Sequence, residues 1–344
     1  MLGGATERAR LTGRLPLLRK RAHLNRFVRS FFDERGFLEI EAPILVPSPG
    51  TEVHLDAYTT DNGGIAQRYL ITSPEYQMKR LIAGGLERAY SLGKVFRRGE
   101  RGPHHNPEFT MLEWYATGWS WSELADSVAS LVASAAEALH GAPALQLTVR
   151  KIDLATPWPR RSVRELFREY AGVELDGDED VNALRDKLSA FRLPSQCPEG
   201  LFYDDLFFSV FLDVVEPALQ ALSRPCIVYD WPRPMGALAR TSPADPRVVE
   251  RFEAYIPSDS GLLELCNGFG ELVDPIEQRS RCEADRRVRA RKGLPDHPLD
   301  EKFLAALGDM PATSGVALGM DRLAMLLLGA RDISDVLPFA VEEL

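Results

Sequence analysis

Several strand-like segments in this chain are joined by connections too short, or too irregular, to hold a crossover helix. Val248–Ile256 and Leu262–Cys266 are separated by Pro257-Ser-Asp-Ser-Gly261. Ala89–Phe96 and Phe109–Tyr115 flank a polar loop with no helical periodicity. Parallel neighbours need a crossover of about a dozen residues or more, usually a helix. These pairs are therefore expected to be antiparallel, giving an α+β fold whose sheet is flanked by helices. Further strands are expected at Phe37–Leu45, ending at Pro43, near Val53–Tyr58, at Arg68–Thr72 and at Cys226–Trp231. Loop chemistry runs from Pro47 to Gly64, including Asp61-Asn-Gly-Gly64. Gly315–Gly329 reads as a strand, a tight glycine turn and an apolar helix.

Helix boundaries are written locally. Ser120-Trp-Ser-Glu123 is a capping box ahead of Leu124, Val128, Leu131 and Val132, with Gly141 as the stop. Ser162–Glu165 is a second capping box. Asp274-Pro275 opens a helix that is acidic early and basic late, matching the macrodipole. At the N-terminus, Leu17, Leu24, Phe27, Val28, Phe31 and Phe32 recur at helical spacing. They predict an amphipathic surface helix with its arginines on the wet face. Residues 142–225, with an acidic turn at Asp176–Asp180 and an aromatic-rich helix near Phe202–Val215, read as a helical insertion. The expected organisation is one domain over 15–344 after a tail at 1–14.

Composition excludes several classes. Hydrophobic residues make up 45%, too many for a disordered chain. No segment approaches the ~18 apolar residues of a membrane helix, and no secretory apolar core is present. The net charge of −9 argues against a general nucleic-acid coat. Cys197, Cys226, Cys266 and Cys282 lack C-x-x-C spacing and are expected to be reduced cytosolic thiols.

Three segments carry chemistry. In Phe96-Arg97-Arg98-Gly99-Glu100, an arginine at a strand end presents a fixed donor fork suited to phosphate. His104, His105 and Asn106 offer further donors, and Phe109 offers a ring face for a base. Taken alone, this reads first as a charged hairpin tip, and no third ligand accompanies the histidines for zinc. Along Leu263–Leu272, Glu264 and, through an Asn267-Gly268 bend, Glu271 are expected to reach one cavity. Two carboxylates beside phosphates call for a hard cation, so Mg²⁺ is the natural metal. An ammonium partner, or a solvated edge strand, fits the same pattern. Finally, Gly319-Met-Asp-Arg322 opens the last helix, where a glycine admits a ligand and Arg322 faces a phosphate or a base.

In this order, the three segments resemble the catalytic core of class II aminoacyl-tRNA synthetases. Pro43 falls in their dimer-forming first motif, Arg97–Glu113 in the second and Gly315–Arg322 in the third. Thr72-Ser-Pro-Glu75, His105–Tyr115 and Asn267–Leu272 resemble the lysyl branch. Ser73–Lys79, Phe109–Tyr115 and Ala317, which stands where lysyl-tRNA synthetases usually have glycine, are more similar to a family of lysyl paralogues. These are the elongation factor P–(R)-β-lysine ligases. The core begins almost at Met1, leaving no room ahead of it for an anticodon-binding domain, so tRNA is not the expected partner.

The resemblance implies a cytoplasmic homodimeric ligase. It would use ATP and Mg²⁺ to activate (R)-β-lysine or lysine and pass it to a lysine of elongation factor P. Arg97, Glu264 and Arg322 are the implied catalytic residues. Ser73, Pro74, Glu75, Glu113, Tyr115, Asn267, Phe269, Glu271 and Ala317 would bind the amino acid. Arg97, Gly99, Glu100, His105, Asn106, Phe109, Glu264, Leu265, Gly319 and Arg322 would bind ATP, with Glu264 and Glu271 holding the metal. Gly99 stands where the family usually has glutamate, so either Glu100 or the Gly99 backbone meets the adenine amine. The competing readings are a truncated tRNA-charging enzyme, a non-catalytic paralogue and small-molecule amide synthesis.

Overall fold

The computed structural model describes residues 4–60, 67–194 and 202–344; Asp61–Gly64 and Cys197 lie outside them. Its main sheet has eight strands. In chain order these are β1 (Leu38–Glu39), β2 (Arg88–Phe96), β3 (Glu108–Thr117), β4 (Arg160–Ser162), β5 (Cys226–Pro232), β6 (Val248–Ser258), β7 (Gly261–Gly270) and β8 (Thr313–Gly319). Across the sheet the order is β1-β2-β3-β8-β7-β6-β5-β4. The six central strands are antiparallel, as the short connections require. Each edge strand is short and parallel to its neighbour, which the antiparallel expectation did not include.

Among the described residues, six longer helices accompany the sheet: α1 (Gly4–Asp33), α2 (Glu75–Ala83), α3 (Trp121–His140), α4 (Tyr203–Val210), α5 (Pro275–Arg291) and α6 (Met320–Leu328). Both capping boxes form, and Asp274 accepts from the Ile276 and Glu277 amides. At Ser120 the hydroxyl accepts from the Glu123 amide at 3.2 Å, and the Glu123 carboxylate accepts from the Ser120 amide at 2.8 Å. Ser120→Ala is expected to cost about 1 kcal/mol in urea unfolding. An unchanged midpoint would show that α3 is held by its apolar face alone.

Four expectations from the sequence are corrected by the structure. The Phe37–Leu45 alternation yields only Leu38–Glu39 and a separate pair, Leu45–Val46, because Pro43 lacks a ladder donor. The strand expected near Val53–Tyr58 is a turn, and pairing begins at Thr59–Thr60. No glycine turn separates β8 from α6: Gly319 has φ −70° and is itself the N-cap. The described residues of 142–225 form helices but also three short strands, one of them β4 of the main sheet.

On one face, α1, α3 and α6 cover the sheet. Leu24, Val28, Phe31 and Phe32 are buried, and the Phe32 ring stacks on Tyr90 with centroids 4.7 Å apart. Not every α1 arginine is wet. Arg21 is buried and pairs with Asp321 of α6, whose other oxygen accepts from the Thr110 amide at 2.8 Å. The aspartate of the Gly-Met-Asp-Arg segment thus locks three elements together. The other face of the sheet carries the candidate site.

Candidate active site

A cavity of about 300 Å³ opens over β3, β8, β7 and β6. Strand register explains how residues far apart in sequence meet there. Ala317 is the cross-strand partner of both Glu113 and Asn267, and Asn267 in turn opposes Glu253. Two residues along, Gly315 opposes both Tyr115 and Phe269, and Phe269 opposes Arg251. Directly opposed side chains lie about 4.5–5.5 Å apart at Cβ, so each row is a band of contacts across the sheet.

Glu264 and Asn267 differ by an odd number of positions, so a regular strand would put them on opposite faces. The register between β6 and β7 shifts at Ala254/Tyr255, where Tyr255 pairs with Glu264 and Ala254 with Cys266. Leu265 is the extra residue of this bulge, and Leu265 and Cys266 are both buried. The bulge brings Glu264 into phase with Asn267 and Phe269, and all three line the cavity. Asn267-Gly268 itself is continuous strand, so the phase change occurs at Leu265 and not at the expected bend.

Beneath the lining is an acidic floor, whose Glu113, Tyr115 and Glu271 are buried and do not themselves line the cavity. Glu113, 1% exposed, accepts from the Ser73 hydroxyl at 2.7 Å and the Tyr115 hydroxyl at 2.6 Å. Burial, then the charge of Glu75, pushes its carboxyl up to about 7. Glu271, equally buried, lies 2.6 Å from Lys79, which also pairs with Glu75 one helical turn earlier. Burial raises the Glu271 carboxyl, and Lys79 opposes the rise. The carboxylates in turn keep Lys79 protonated despite its burial. Gly315 makes the arrangement possible, because a Cβ there would overlap the Tyr115 ring and the Glu271 carboxylate. Pro74 lies outside the lining and provides the N-cap of α2.

The basic end is built on β2, β3 and α6. Arg97 sits over the Phe109 ring, 5.2 Å from its centroid, with long contacts to the Thr72 carbonyl (3.4 Å) and Glu100 (3.5 Å). A left-handed turn at Gly99 (φ 84°) sends Glu100 into the cavity lining, which Gly99 does not join. Arg322 donates to the Glu264 carbonyl at 2.8 Å and to His105 Nε2 at 2.7 Å. His105 therefore accepts through Nε2 and does not offer that nitrogen to a phosphate. Burial and the Arg322 charge hold its pKa below the ordinary range. Asn106 is committed too: its amide donates to the Glu108 carbonyl and its oxygen accepts from Val341. Gly319 lines the cavity beside Arg322.

Residues 10–343 match the family of class II tRNA synthetases (D, K and N). Across 333 residues the chain is 40% identical to the elongation factor P–(R)-β-lysine ligase of Haemophilus influenzae (strain PittGG), covering 94% of this chain and 95% of that protein. Proteins of the same name from Proteus mirabilis (39% over 333 residues; 94% of each chain) and Klebsiella pneumoniae strain 342 (38% over 334 residues; 95% and 96%) are similarly close. The chain belongs to the class II tRNA synthetase family. Within it, the chain groups with the elongation factor P–(R)-β-lysine ligases. It is an ATP-using ligase of that class.

In this synthetase-family site the fit for Mg²⁺ is partial. Mg²⁺ is usually held by one or two carboxylates together with phosphate oxygens. Glu264 lines the cavity and fits that role. Glu271 is occupied by Lys79 and is not part of the lining, so the expected Glu264–Glu271 pairing is not the one this geometry makes. Among the described residues no cluster of three or more His, Cys, Asp or Glu side chains is placed to hold an ion, zinc included.

The ligase cavity also contains residues the sequence reading did not single out. Glu52, His54 and Leu55 enter from the loop after β1, and Ala237 and Leu238 from the segment after β5. Ala237 adopts φ 41°, with its carbonyl accepting from Arg281. Arg251 reaches in from β6, where its side chain lies over Trp231 and pairs with Glu253. Lys79 was visible in sequence as the partner of Glu75 at i,i+4. Glu52 and Ala237 carried no signal, since loop residues have no periodicity to betray a direction.

Proposed function

We propose that this ligase activates (R)-β-lysine with ATP and transfers it to a lysine amine of elongation factor P. The acidic floor supports this reading most directly. Glu75, Glu113 and Glu271 surround one protein cation, Lys79, so the site is short of positive charge. A substrate ammonium supplies it. A neutral analogue would leave a buried carboxylate unpaired, which is how such a site excludes it.

The substrate carboxylate attacks the α-phosphorus of ATP, forming the acyl–phosphate bond and releasing pyrophosphate. The acceptor amine then attacks the acyl carbon, loses a proton and displaces AMP as the amide forms. Neither step needs a protein nucleophile; the protein positions groups and stabilises charge. Arg97 holds the α-phosphate, and leaving Phe109 for phosphate frees that ring for adenine. Arg322, fixed by the Glu264 carbonyl and His105, faces the triphosphate. Ser73, Glu113, Tyr115 and Asn267 receive the amino acid, with Ala317 shaping the pocket. Mg²⁺, held by Glu264 with phosphate oxygens, would neutralise charge on the triphosphate. The exposed Leu38, Ile44 and Leu45 beside Pro43 support a homodimer through that surface.

Pyrophosphate exchange with (R)-β-lysine and with lysine, followed by mass measurement of elongation factor P, tests the reading. Exchange with (R)-β-lysine and a mass gain of one β-lysyl group are expected. No exchange with either amino acid refutes an activating enzyme; exchange with charging of tRNA in place of the protein redirects it to tRNA. A pH dependence also follows. Glu113, with its carboxyl near 7, must lose its proton to receive an ammonium, while a lysine ammonium keeps its proton to about pH 10. The KM for the amino acid should fall as pH rises from 6 to 8, by up to about tenfold per unit below 7. A flat profile over that range would remove Glu113 from amine recognition.

A further inference from the structure

The loop after β1 delivers a further carboxylate to the same cavity. Its backbone is fixed from behind by the buried Arg289 of α5, which donates through Nη1 to the carbonyls of Glu52 (2.9 Å) and Leu55 (2.7 Å). His297 Nδ1 bonds the Gly50 carbonyl at 2.9 Å, and the Thr72 hydroxyl bonds that of Pro49 at 2.9 Å. Gly50 has φ 105°, and a Cβ there would overlap the Glu52 carboxylate, so glycine is what allows that side chain its place. With the backbone so held, Glu52 lines the cavity alongside Ser73, Glu75 and Arg97. Its Oε2 is buried and accepts no hydrogen bond. Burial, then the charges of Glu75 and Asp285, raise its carboxyl to about 7, while its own backbone amide and Arg97 oppose the rise.

A buried carboxylate oxygen without a partner, on a side chain that lines a substrate cavity, calls for a donor from the ligand. The site has two acidic levels. Glu113 and Glu271, each 1% exposed, lie beneath the lining, whereas Glu52 and Glu75 line the cavity with Ser73. Lys79 pairs with Glu75 and Glu271, and Arg97 offsets Glu52 in part, which leaves these four carboxylates short of positive charge. An amino acid with two ammonium groups matches both levels. We propose that Glu52 is a substrate-binding residue that accepts a hydrogen bond from the amine nearer the substrate's carboxylate, while the floor takes the terminal ammonium. The assignment rests on the diamine substrate proposed above and adds to it the residue that discriminates by the second amine.

The test uses the full-length enzyme and its Glu52→Gln and Glu52→Asp variants in (R)-β-lysine-dependent pyrophosphate exchange. Glu52→Gln should raise the KM for (R)-β-lysine at least about tenfold, with the KM for ATP within about twofold of wild type. Glu52→Asp, which keeps the charge, should recover part of the loss. The melting temperature of Glu52→Gln should equal or exceed that of wild type, because the amide removes an unpaired buried charge. The inhibition constant of 6-aminohexanoate, which lacks the second amine, should not change. An unchanged KM for (R)-β-lysine would overturn the proposal. So would a raised KM accompanied by a lowered melting temperature, which marks a structural role, or an equal loss of 6-aminohexanoate binding. Wild-type enzyme inactive with (R)-β-lysine would instead refute the substrate reading.

Discussion

Replacing Lys79 with methionine is expected to lower the unfolding free energy by about 3–5 kcal/mol, the usual cost of stripping one partner from a buried ion pair. Lys79 is 1% exposed and joins Glu75 of its own helix to Glu271 at the end of β7. Without it, two carboxylates lose their cation, and Glu113 lies close enough to raise Glu271 further. The loss should depend on pH. Burial already raises the Glu271 carboxyl, and removing Lys79 raises it more. An acid whose pKa is higher folded than unfolded binds more protons when folded, so stability falls as pH rises. The difference between variant and wild type should therefore be smaller at pH 6 than at pH 8. Urea unfolding followed by circular dichroism at both values measures this. A loss below about 1 kcal/mol at pH 8 would show that the carboxylates find compensation elsewhere.

Arg97→Ala is expected to reduce kcat/KM for pyrophosphate exchange by about 10²–10³-fold, the scale set by losing one donor aimed at developing charge. The fold should be indifferent, because the Arg97 contacts in the protein are long: 3.4 Å to the Thr72 carbonyl and 3.5 Å to Glu100. Arg97→Lys should rescue little, since an ammonium lacks the planar fork that grips two phosphate oxygens. Activity within about tenfold of wild type, with an unchanged melting curve, would remove Arg97 from the reacting centre. Glu264→Ala should likewise abolish exchange without unfolding the protein. By contrast, Arg322 also braces the loop through His105 and the Glu264 carbonyl, so its removal confounds charge with position.

Much of the candidate site is legible in the sequence. Arg97, directly after β2, and Glu264, on β7, stand out in the sequence by their chemistry, and both reach the cavity. The capping boxes at Ser120 and Ser162 formed because their partners are three residues away, a distance the helix itself fixes. Direction was hidden wherever it depended on a distant partner. The short edge strands could not be foreseen from alternation that Pro43 interrupts. His105 looked like a phosphate donor until Arg322, more than two hundred residues later, proved to hold its Nε2. Asn106 was similarly claimed by its own loop and by Val341.

The sequence by itself determined the chemical inventory: a strand-end arginine, carboxylates spaced along a late strand, a glycine and arginine at the start of the last helix, and the caps that delimit helices. Each depends on contacts within a few residues, where backbone geometry leaves little choice. Tertiary structure decided which of these groups meet. The register of β3, β8 and β7 set Glu113, Ala317 and Asn267 in one row, and a single bulge at Leu265 turned Glu264 toward them. A one-residue slip in any of those pairings would turn a strand's side chains to the opposite face. That register is fixed by packing across the whole sheet, while the loop that brings Glu52 to the cavity is held by Arg289 and His297 from distant positions, and no local pattern encodes either.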